Sequence, residues 1–339
     1  IQMAWRLARK THCSWTAASA FSSQSVGPVF DRQLKLRQRE WAARQEEARD
    51  VGHLKGEVPG FSASSLSLRS HISCNQIGWR MADKLSDLLD RRPRVLEIGS
   101  GGVGEHVDSS RVDHLVMLDG SASTLASAAP PSDASVSWEK VVGDEESLSA
   151  LSGFPPFDAV LSSLSAHWIN DIPGWMGRIH GMLKPDSPFI GCLLAQDTLF
   201  ELRCSLQLAE MERLGGIHSH VSPHVRPSDI GSLLSAAGFQ LVTLDSDEIQ
   251  VFFPSLFHVM VDLQLMAESA CAFSRSLSLR RDIAVAAAAI YTSMYSKPDG
   301  AHPATFRVLS FIGWTPGPTT PKPAKRGSQT HSLKDISPT

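Results

Sequence analysis

A short apolar run followed by a glycine-rich turn constrains the fold of this chain more than any other feature. Residues 94–98 read RVLEI, and Gly99 and Gly101 follow directly. Glycines permit a tight turn and remove the Cβ atoms that would block a ligand. A second apolar run, LVML, ends in Asp119, twenty residues after Gly99. This spacing predicts a nucleotide-binding α/β fold in which Asp119 accepts the ribose hydroxyls, the alternative being a simple loop carboxylate.

An acid inside the first strand, Glu97, favours S-adenosyl-L-methionine over a nicotinamide dinucleotide as cofactor. A methyltransferase commonly uses an acid there near the methionine amino end, whereas a dinucleotide fold needs none. The run resembles motif I of class I methyltransferases, hydrophobic-(D/E)-x-G-x-G-x-G, with Val103 in the place of the third glycine. The alternative is a glycine-rich turn that binds nothing. We therefore expect a class I S-adenosylmethionine-dependent methyltransferase fold, a Rossmann-like doubly wound sheet.

The composition is that of one sizeable globular domain. The chain has 339 residues, of which 42% are hydrophobic and 20% charged, with a formal net charge of -3. This near-neutral balance gives no electrostatic footprint for DNA or RNA. No apolar run reaches the ~18 residues of a membrane-spanning helix. The five cysteines form no C-x-x-C pair, which fits a reducing compartment without structural zinc or a disulfide framework.

The amino-terminal segment differs from the rest. Its first acid is Asp31, and Arg6, Arg9 and Lys10 lie among Ser, Ala, Thr and Trp. An Arg- and Ser-rich, acid-poor composition predicts a mitochondrial transit peptide over residues 1–28, and a disordered cytosolic tail is the alternative. A helix with a linker should follow over residues 29–70, then a methyltransferase-like domain over 71–314, and a Pro- and Ser-rich disordered tail over 315–339.

Apolar runs and helical periodicities alternate along the domain, as in a doubly wound sheet. A helix near Asn170 and Asp171 should tolerate Pro173 in its first turn. We expect strands at 94–98, 112–118, 136–142, 157–163, 188–194, 239–244 and 304–313, with a further extended piece at 249–253.

Residues 195–227 form an unusually long connection between the fifth strand and the next helix. Long connections in compact domains usually carry function. Asp197 should cap a helix over 198–213, whose leucines share one face. Because ligands bind at the carboxyl ends of the strands in open α/β sheets, this insertion is predicted to be a lid and substrate platform.

Further cofactor contacts are expected at the ends of the third and fourth strands. Asp144 ends strand three, where this fold usually contacts the adenine, although it also fits a surface acid. Ser162 and Ser163 end strand four and should face the cofactor cleft, unless they only hydrogen-bond locally. We take Glu97, Gly99, Gly101, Asp119, Asp144 and Ser163 as the cofactor-binding residues.

No catalytic residue is assigned from the sequence, but three candidates stand out. His167 lies just beyond strand four as a base or substrate contact, or alternatively packs with Trp168 to anchor the next helix. Glu201 and Arg203 on the lid helix could grip a peptide or carboxylate substrate, or form a solvated ion-pair face.

Three histidines in the insertion, His218, His220 and His224, lie near Asp229. Three imidazoles and a carboxylate could form a non-heme iron site. The loop contains glycines and Pro223 and has no rigid element to set the geometry. We therefore predict no metal here.

Several strings resemble one family. Residues 29–32, 41–45, 157–171 (FDAVLSSLSAHWIND) and 197–210 (DTLFELRCSLQLAE) resemble the mitochondrial complex I assembly factor 5 family, methyltransferase-like proteins described as protein arginine hydroxylases. The resemblance runs from about residue 28 to Trp314. Two departures are Val103 and a slightly short span from Gly99 to Asp119, which predicts a clipped helix after the turn. Of the three histidines, only His220 matches the family pattern.

The resemblance implies a protein on the matrix side of the mitochondrial inner membrane, peripherally associated with it. Its partners would be assembly intermediates of complex I and an iron–sulfur subunit, of which it would hydroxylate an arginine. Asp144, Glu145 and Glu201 are possible partners for that guanidinium. Two alternatives stay open: a carboxyl methyltransferase acting on small molecules or carrier-bound malonyl groups, and an assembly chaperone without catalysis.

Overall fold

The computed structural model describes residues 27–52, 74–88, 90–100, 102–276, 278–321 and 327. The predicted linker at 58–70, all but the last two residues of the predicted transit peptide, and most of the predicted tail lie outside the described residues. Within the described part, no helix is both long and apolar enough to span a membrane.

A seven-stranded sheet in the order β3-β2-β1-β4-β5-β7-β6 forms the centre of the molecule. The first five strands run parallel, while β7 runs antiparallel to both β5 and β6. This architecture confirms the predicted doubly wound methyltransferase fold. The strands are β1 Arg94–Ile98, β2 His114–Asp119, β3 Ser137–Val142, β4 Ala159–Ser163, β5 Pro188–Leu194, β6 Gln240–Phe253 and β7 His302–Trp314.

Eight helices accompany the sheet in the described residues. They are α1 Arg32–Gly52, α2 Cys74–Ser86, α3 Ala122–Ser127, α4 Ile172–Met182, α5 Phe200–Leu214, α6 Pro227–Ala236, α7 Leu256–Leu265 and α8 Arg281–Tyr295. Asp171 caps α4 by accepting a 2.9 Å hydrogen bond from the Gly174 N–H, and Pro173 lies in the first turn, as predicted. The helix after the β1 turn is reduced to the 3-10 turn Gly104–His106, in agreement with the expected clipping.

Alternate residues of the central strands feed two separate apolar layers. Val95 and Leu115 pack with α2, α5 and α8 on one face, whereas Leu96 and Val116 pack with α4 and α6 on the other. Strands buried on both faces read as continuous apolar runs, which explains why β1, β4 and β5 were predictable to within two residues. The two layers fix the strand ends, and with them the loops at the carboxyl edge.

Two predicted boundaries are wrong for identifiable reasons. The lid helix begins at Phe200 and has no side-chain cap, because Asp197 adopts a left-handed φ of 73° and pairs with Arg307 at 3.6 Å. The two predicted pieces at 239–244 and 249–253 form a single strand, β6, with an irregularity between Gln240 and Thr243. Its central polar residues resemble a loop in sequence but lie on an exposed edge strand, where water solvates them.

Gly78 allows α2 to approach the turn after β1. A Cβ at Gly78 would fall against the backbone carbonyl of Gly102, which cannot move aside as a side chain can. Gly78→Ala should therefore lower the free energy of unfolding by roughly 1–3 kcal/mol, the usual cost of overpacking. Gly177→Ala is the matched control, because the space at this glycine of α4 is open. The control should gain roughly 0.5–1 kcal/mol from helix propensity.

Urea denaturation of both variants and the parent protein measures this difference. Equal stability of Gly78→Ala and the parent would contradict the close approach of α2 to the turn.

Candidate functional site

The turn after β1 adopts a backbone that requires glycine. Gly99 has a φ of +74°, and a Cβ there would lie 2.6 Å from Cβ of Ser165. Gly102 has a φ of +91°, and Gly101 lies outside the described residues. Val103 is fully buried in the apolar layer, in a right-handed conformation. The departure from the glycine motif therefore places a methyl-bearing side chain in the core and introduces no backbone strain.

Glu97 lies beneath this turn with no exposed surface. Its Oε1 accepts a 3.2 Å hydrogen bond from the Val103 N–H. Glu97 thus holds the far end of the turn against β1. It therefore has a structural contact in addition to its predicted role in cofactor binding.

Asp119 ends β2 and is also fully buried. Its carboxylate accepts hydrogen bonds from the Ser100 N–H at 3.1 Å and the Ser121 N–H at 2.7 Å, so it ties the β1 turn to the β2 turn. Arg39 of α1 donates to the same carboxylate at 2.6 Å. Burial raises the pKa of Asp119 to about 6, although Arg39 opposes this shift.

A row of acids continues from Asp119 along the carboxyl edge of the sheet. Arg39 also pairs with Glu145, which is 4% exposed. Arg32 of α1 pairs with Asp144 at 2.7 Å. Burial opposes ionisation of Asp144, but the Ser147 N–H and Arg32 together hold its pKa below its usual value. Glu145 is thus buried beside α1, whereas Asp144 stays about half exposed, and arginines of α1 pair with both.

The end of β4 supplies a group of buried hydroxyls. The Ser162 and Ser165 hydroxyls lie 3.3 Å apart, and Ser165 also faces the Ile98 carbonyl at 3.4 Å. Ser163 is 3% exposed, and its Oγ has no hydrogen-bond partner among the described residues. A buried hydroxyl without a partner, at the strand end where this fold binds ligands, suits a polar contact to a cofactor.

Glu268 is the centre of a buried charged cluster beyond β4. Its Oε2 lies 3.1 Å from Nε2 of His167, while its Oε1 accepts from Trp168 Nε1 at 3.2 Å and pairs with Lys35 at 3.3 Å. Burial opposes ionisation of Glu268, but Lys35 and His167 lower its pKa to about 2. His167 therefore packs on Trp168, with ring centroids 5.0 Å apart. It also contacts Glu268, whose side chain lines a cavity.

The cavity has a volume of about 330 Å³ and lies under α5. The start of α5 contributes an apolar wall of Leu199, Leu202 and Leu206. The polar part of the wall contains Glu268, Trp168, Ser222 and His224. In the described structure, Ser222 Oγ and His224 Nδ1 are buried without hydrogen-bond partners. The insertion thus lines a cavity with one apolar and one polar side.

The three histidines of the insertion do not converge. His218 and His220 both contact Glu210 Oε1, at 3.2 and 2.7 Å. His224 faces His167 instead, with ring centroids 6.1 Å apart, and Asp229 pairs with Arg226. Among the described residues, no group of three His, Cys, Asp or Glu side chains could hold a metal ion.

The structure assigns Glu201 to packing and not to the cavity. It is 1% exposed and accepts hydrogen bonds from the Thr305 hydroxyl and, at 3.2 Å, the Thr305 N–H. The Glu201 carboxylate therefore joins α5 to β7, and these contacts give no support to the suggested grip on a guanidinium. Arg203 is half-buried on α5 and lies close enough to His224 to lower the pKa of that histidine.

Lys35, Arg39 and Glu268 are site residues that the sequence did not reveal. Lys35 and Glu268 are 233 residues apart in sequence, and neither belongs to a motif. The spacing of Arg32, Lys35 and Arg39 along one helix was the available signal, since residues at such intervals share a face.

His224 should make the fold sensitive to acid. Burial and the neighbouring His167 lower its pKa to about 3, so the folded state excludes a proton that the unfolded state takes up near 6.5. Stability tied to the neutral ring is thus complete above pH 6.5 and is lost as the pH falls toward 3. His224→Asn should remove about 2 kcal/mol of the loss between pH 7 and 5. Urea denaturation at these pH values tests this, and parallel pH profiles would contradict it.

Comparisons with known proteins agree with this fold. A methyltransferase domain family matches residues 76–244. The arginine-hydroxylase NDUFAF5 of Danio rerio mitochondria is 43% identical over 320 residues, covering 94% of this chain and 92% of that protein. The Homo sapiens protein of the same name is 39% identical over 332 residues, covering 97% and 89%.

A more distant similarity extends to enzymes of another kind. A malonyl-[acyl-carrier protein] O-methyltransferase of Gallionella capsiferriformans is 26% identical over 273 residues, covering 76% of this chain and 87% of that enzyme. The sheet order, the buried acids Glu97 in β1 and Asp119 at the end of β2, and an identity of 39–43% over nearly the whole chain agree with one another. The chain belongs to the NDUFAF5 family of methyltransferase-fold proteins.

Proposed function

We propose that this protein is a mitochondrial assembly factor of complex I that modifies an arginine of an iron–sulfur subunit. Its NDUFAF5 relatives are named mitochondrial arginine-hydroxylases and match nearly the whole chain. The observation that carries the proposal is the position of the cavity. It lies beyond the ends of β4 and β5, at the sheet edge that also carries Asp119, and it is lined by a partly buried acid, Glu268, suited to a guanidinium.

The cofactor in this proposal is S-adenosyl-L-methionine. The residues present fit it: Gly99 leaves no Cβ at the turn, Asp119 supplies a buried carboxylate, and Ser163 has a hydroxyl in need of a partner. Asp119 would hold the ribose hydroxyls and Asp144 the adenine end, with Glu97 and Gly101 at the turn. Arg39 donates a hydrogen bond to the Asp119 carboxylate. Arg39 therefore has to move away before this carboxylate can accept both ribose hydroxyls.

Chemistry at the acceptor distinguishes two versions of the proposal. S-adenosylmethionine supplies an activated methyl group, whereas hydroxylation of an unactivated carbon needs an activated oxygen species. In either case the chain's own contribution is the same. Apolar residues of α5 exclude water from the cavity, Glu268 orients a cationic side chain, and His167 holds Glu268 in place.

The expected location is the matrix side of the inner membrane, with peripheral attachment. A transit peptide over residues 1–28 would direct import, residues 29–70 would form the helix and linker, and residues 71–314 the domain with its insertion. An O-methyltransferase acting on a carrier-bound carboxyl group is the second candidate, favoured by the Gallionella relative. The carboxyl substrate of such an enzyme is anionic. The carboxylate of Glu268 in the polar wall of the cavity would repel it.

Asp119→Asn should weaken binding of S-adenosylmethionine by tenfold or more. The change removes the charge from the acceptor of both ribose hydroxyls, and each charge-assisted hydrogen bond contributes about 1.5–3 kcal/mol. Asp83→Asn is the matched control, since Asp83 is an exposed acid of α2. Isothermal titration calorimetry measures both. Unchanged affinity in Asp119→Asn, or no binding by the parent protein, would remove the cofactor assignment.

Loss of the protein should halt assembly of complex I and leave one arginine of an iron–sulfur subunit unmodified. Mass spectrometry of that subunit from knockout and rescued cells compares the two. A gain of one oxygen atom supports hydroxylation, and a gain of one CH2 group supports methylation. Complex I at normal levels in the knockout, or an unmodified arginine in the rescued cells, would contradict the enzymatic proposal.

A further inference from the structure

Lys35 fills a site with the chemistry of an organic-cation receptor. Its ammonium lies 3.5 Å from the centroid of the Trp168 ring, 3.3 Å from Glu268 Oε1, and donates to the Ala267 carbonyl. Lys35 is only 7% exposed. An aromatic face, a carboxylate and a carbonyl oxygen are the three groups that stabilise a desolvated cation. We name this set, Trp168, Ala267 and Glu268, the cation site.

The cation site is one end of the cavity under α5. Trp168 and Glu268 belong to both, because they contact Lys35 and also line the cavity. The start of α5 forms the apolar wall, and Ser222 and His224 add two buried polar atoms without partners in the described residues. A side chain with an aliphatic stem and a cationic head matches this layout, since its stem can lie along the leucines while its head meets Glu268.

Lys35 is an imperfect occupant of this site. Burial lowers the pKa of Lys35 to about 8, although Glu268 opposes the shift. A guanidinium is more weakly hydrated, stacks on an aromatic face and pairs bidentately with a carboxylate. An arginine is therefore the better ligand for the same three groups.

The helix that carries Lys35 is attached through charges and through apolar contacts. Arg32 pairs with Asp144, and Arg39 pairs with Asp119 and Glu145. Phe30 and Leu34 pack with Trp168, and Ala42 and Ala43 of α1 are also buried. The cation site can open without movement of the helix, because the Lys35 ammonium ends a flexible four-carbon stem that can rotate away.

We propose that the cation site binds the basic side chain of the protein substrate, and that Lys35 occupies it until the incoming side chain displaces the Lys35 ammonium. The inference rests on the proposed function for the identity of that side chain, an arginine. It adds the recognition residues and a competition between an internal lysine and the incoming guanidinium. Glu268 and Trp168 would contact the substrate, and His167 is a positioning residue that acts through Glu268.

Binding of a short peptide to the full chain tests this competition. The probe is acetyl-Gly-Arg-Gly-amide, followed by ligand-observed NMR titration. Acetyl-Gly-citrulline-Gly-amide is the neutral control of equal shape, and the lysine peptide tests the preference for guanidinium. Lys35→Met removes the internal cation while retaining an apolar stem. It should increase affinity for the arginine peptide on the order of tenfold, because more of the protein then has an open site.

Arg32→Met is the matched control, since it deletes from the same face of α1 one positive charge that pairs with Asp144 and, among the described residues, meets the site only through a 3.5 Å hydrogen bond to the backbone carbonyl of Trp168. It should change the affinity far less than Lys35→Met. Lys35→Arg keeps the site filled and should bind the peptide no better than the parent. Equal gains in Lys35→Met and Arg32→Met would overturn the proposal, as would citrulline peptide binding as tight as arginine.

Glu268→Gln should abolish the gain when combined with Lys35→Met, provided that circular dichroism shows a folded protein. If it does not fold, Trp168→Phe in the Lys35→Met background serves instead, because it keeps a ring but removes the N–H that orients Glu268. Undiminished binding in the folded double variant would overturn the site. A subunit arginine that is modified in cells expressing folded Glu268→Gln would also reject the site while leaving the proposed function intact. If the protein binds the peptide but no subunit arginine is modified in cells, the site is supported and the proposed function is rejected.

Discussion

The carboxylate of Asp119 is the interaction on which the carboxyl edge of the sheet depends. It accepts from the turn after β1, from the turn after β2 and from Arg39 of α1, so three separate segments meet on one side chain. A buried carboxylate is costly unless its oxygens are satisfied, and here backbone N–H groups do most of this. The same carboxylate oxygens that order this edge are those that a ribose would use in the proposed cofactor site, so cofactor binding would change the contacts that hold the edge together.

Much of the fold was predictable because its signals are local. Strands buried on both faces appear as apolar runs, and Asp171 with Pro173 marks the start of α4. The candidate site was predictable only where it follows strand ends, as for Glu97 and Asp119. The cluster of Lys35, Trp168 and Glu268 joins three distant parts of the chain, so no window of sequence contains it. The prediction that Asp197 caps α5 was wrong for the opposite reason. Its local sequence is typical of a helix cap, but in the structure Asp197 pairs with the distant Arg307.

Val103 shows how a family motif can change without loss of the turn. The residue points into the apolar layer and uses its N–H to contact Glu97, so the side chain stays away from the cleft. The glycine requirement is met by its neighbours, Gly99 and Gly102, which carry the positive φ angles. A motif position is therefore constrained by the direction of its side chain, and a residue that faces the core is free to gain carbon atoms that fill it.

The contacts of Glu201 fix one wall of the cavity. Its carboxylate fastens the first turn of α5 to Thr305, and Thr198 exchanges two further hydrogen bonds with the backbone of Arg307. The start of α5, which forms the apolar wall, is therefore held on β7. Lys35, by contrast, reaches Trp168 and Glu268 at the other end of the cavity on a flexible side chain. A ligand can therefore be admitted by the movement of one side chain, while the backbone around the cavity keeps its position.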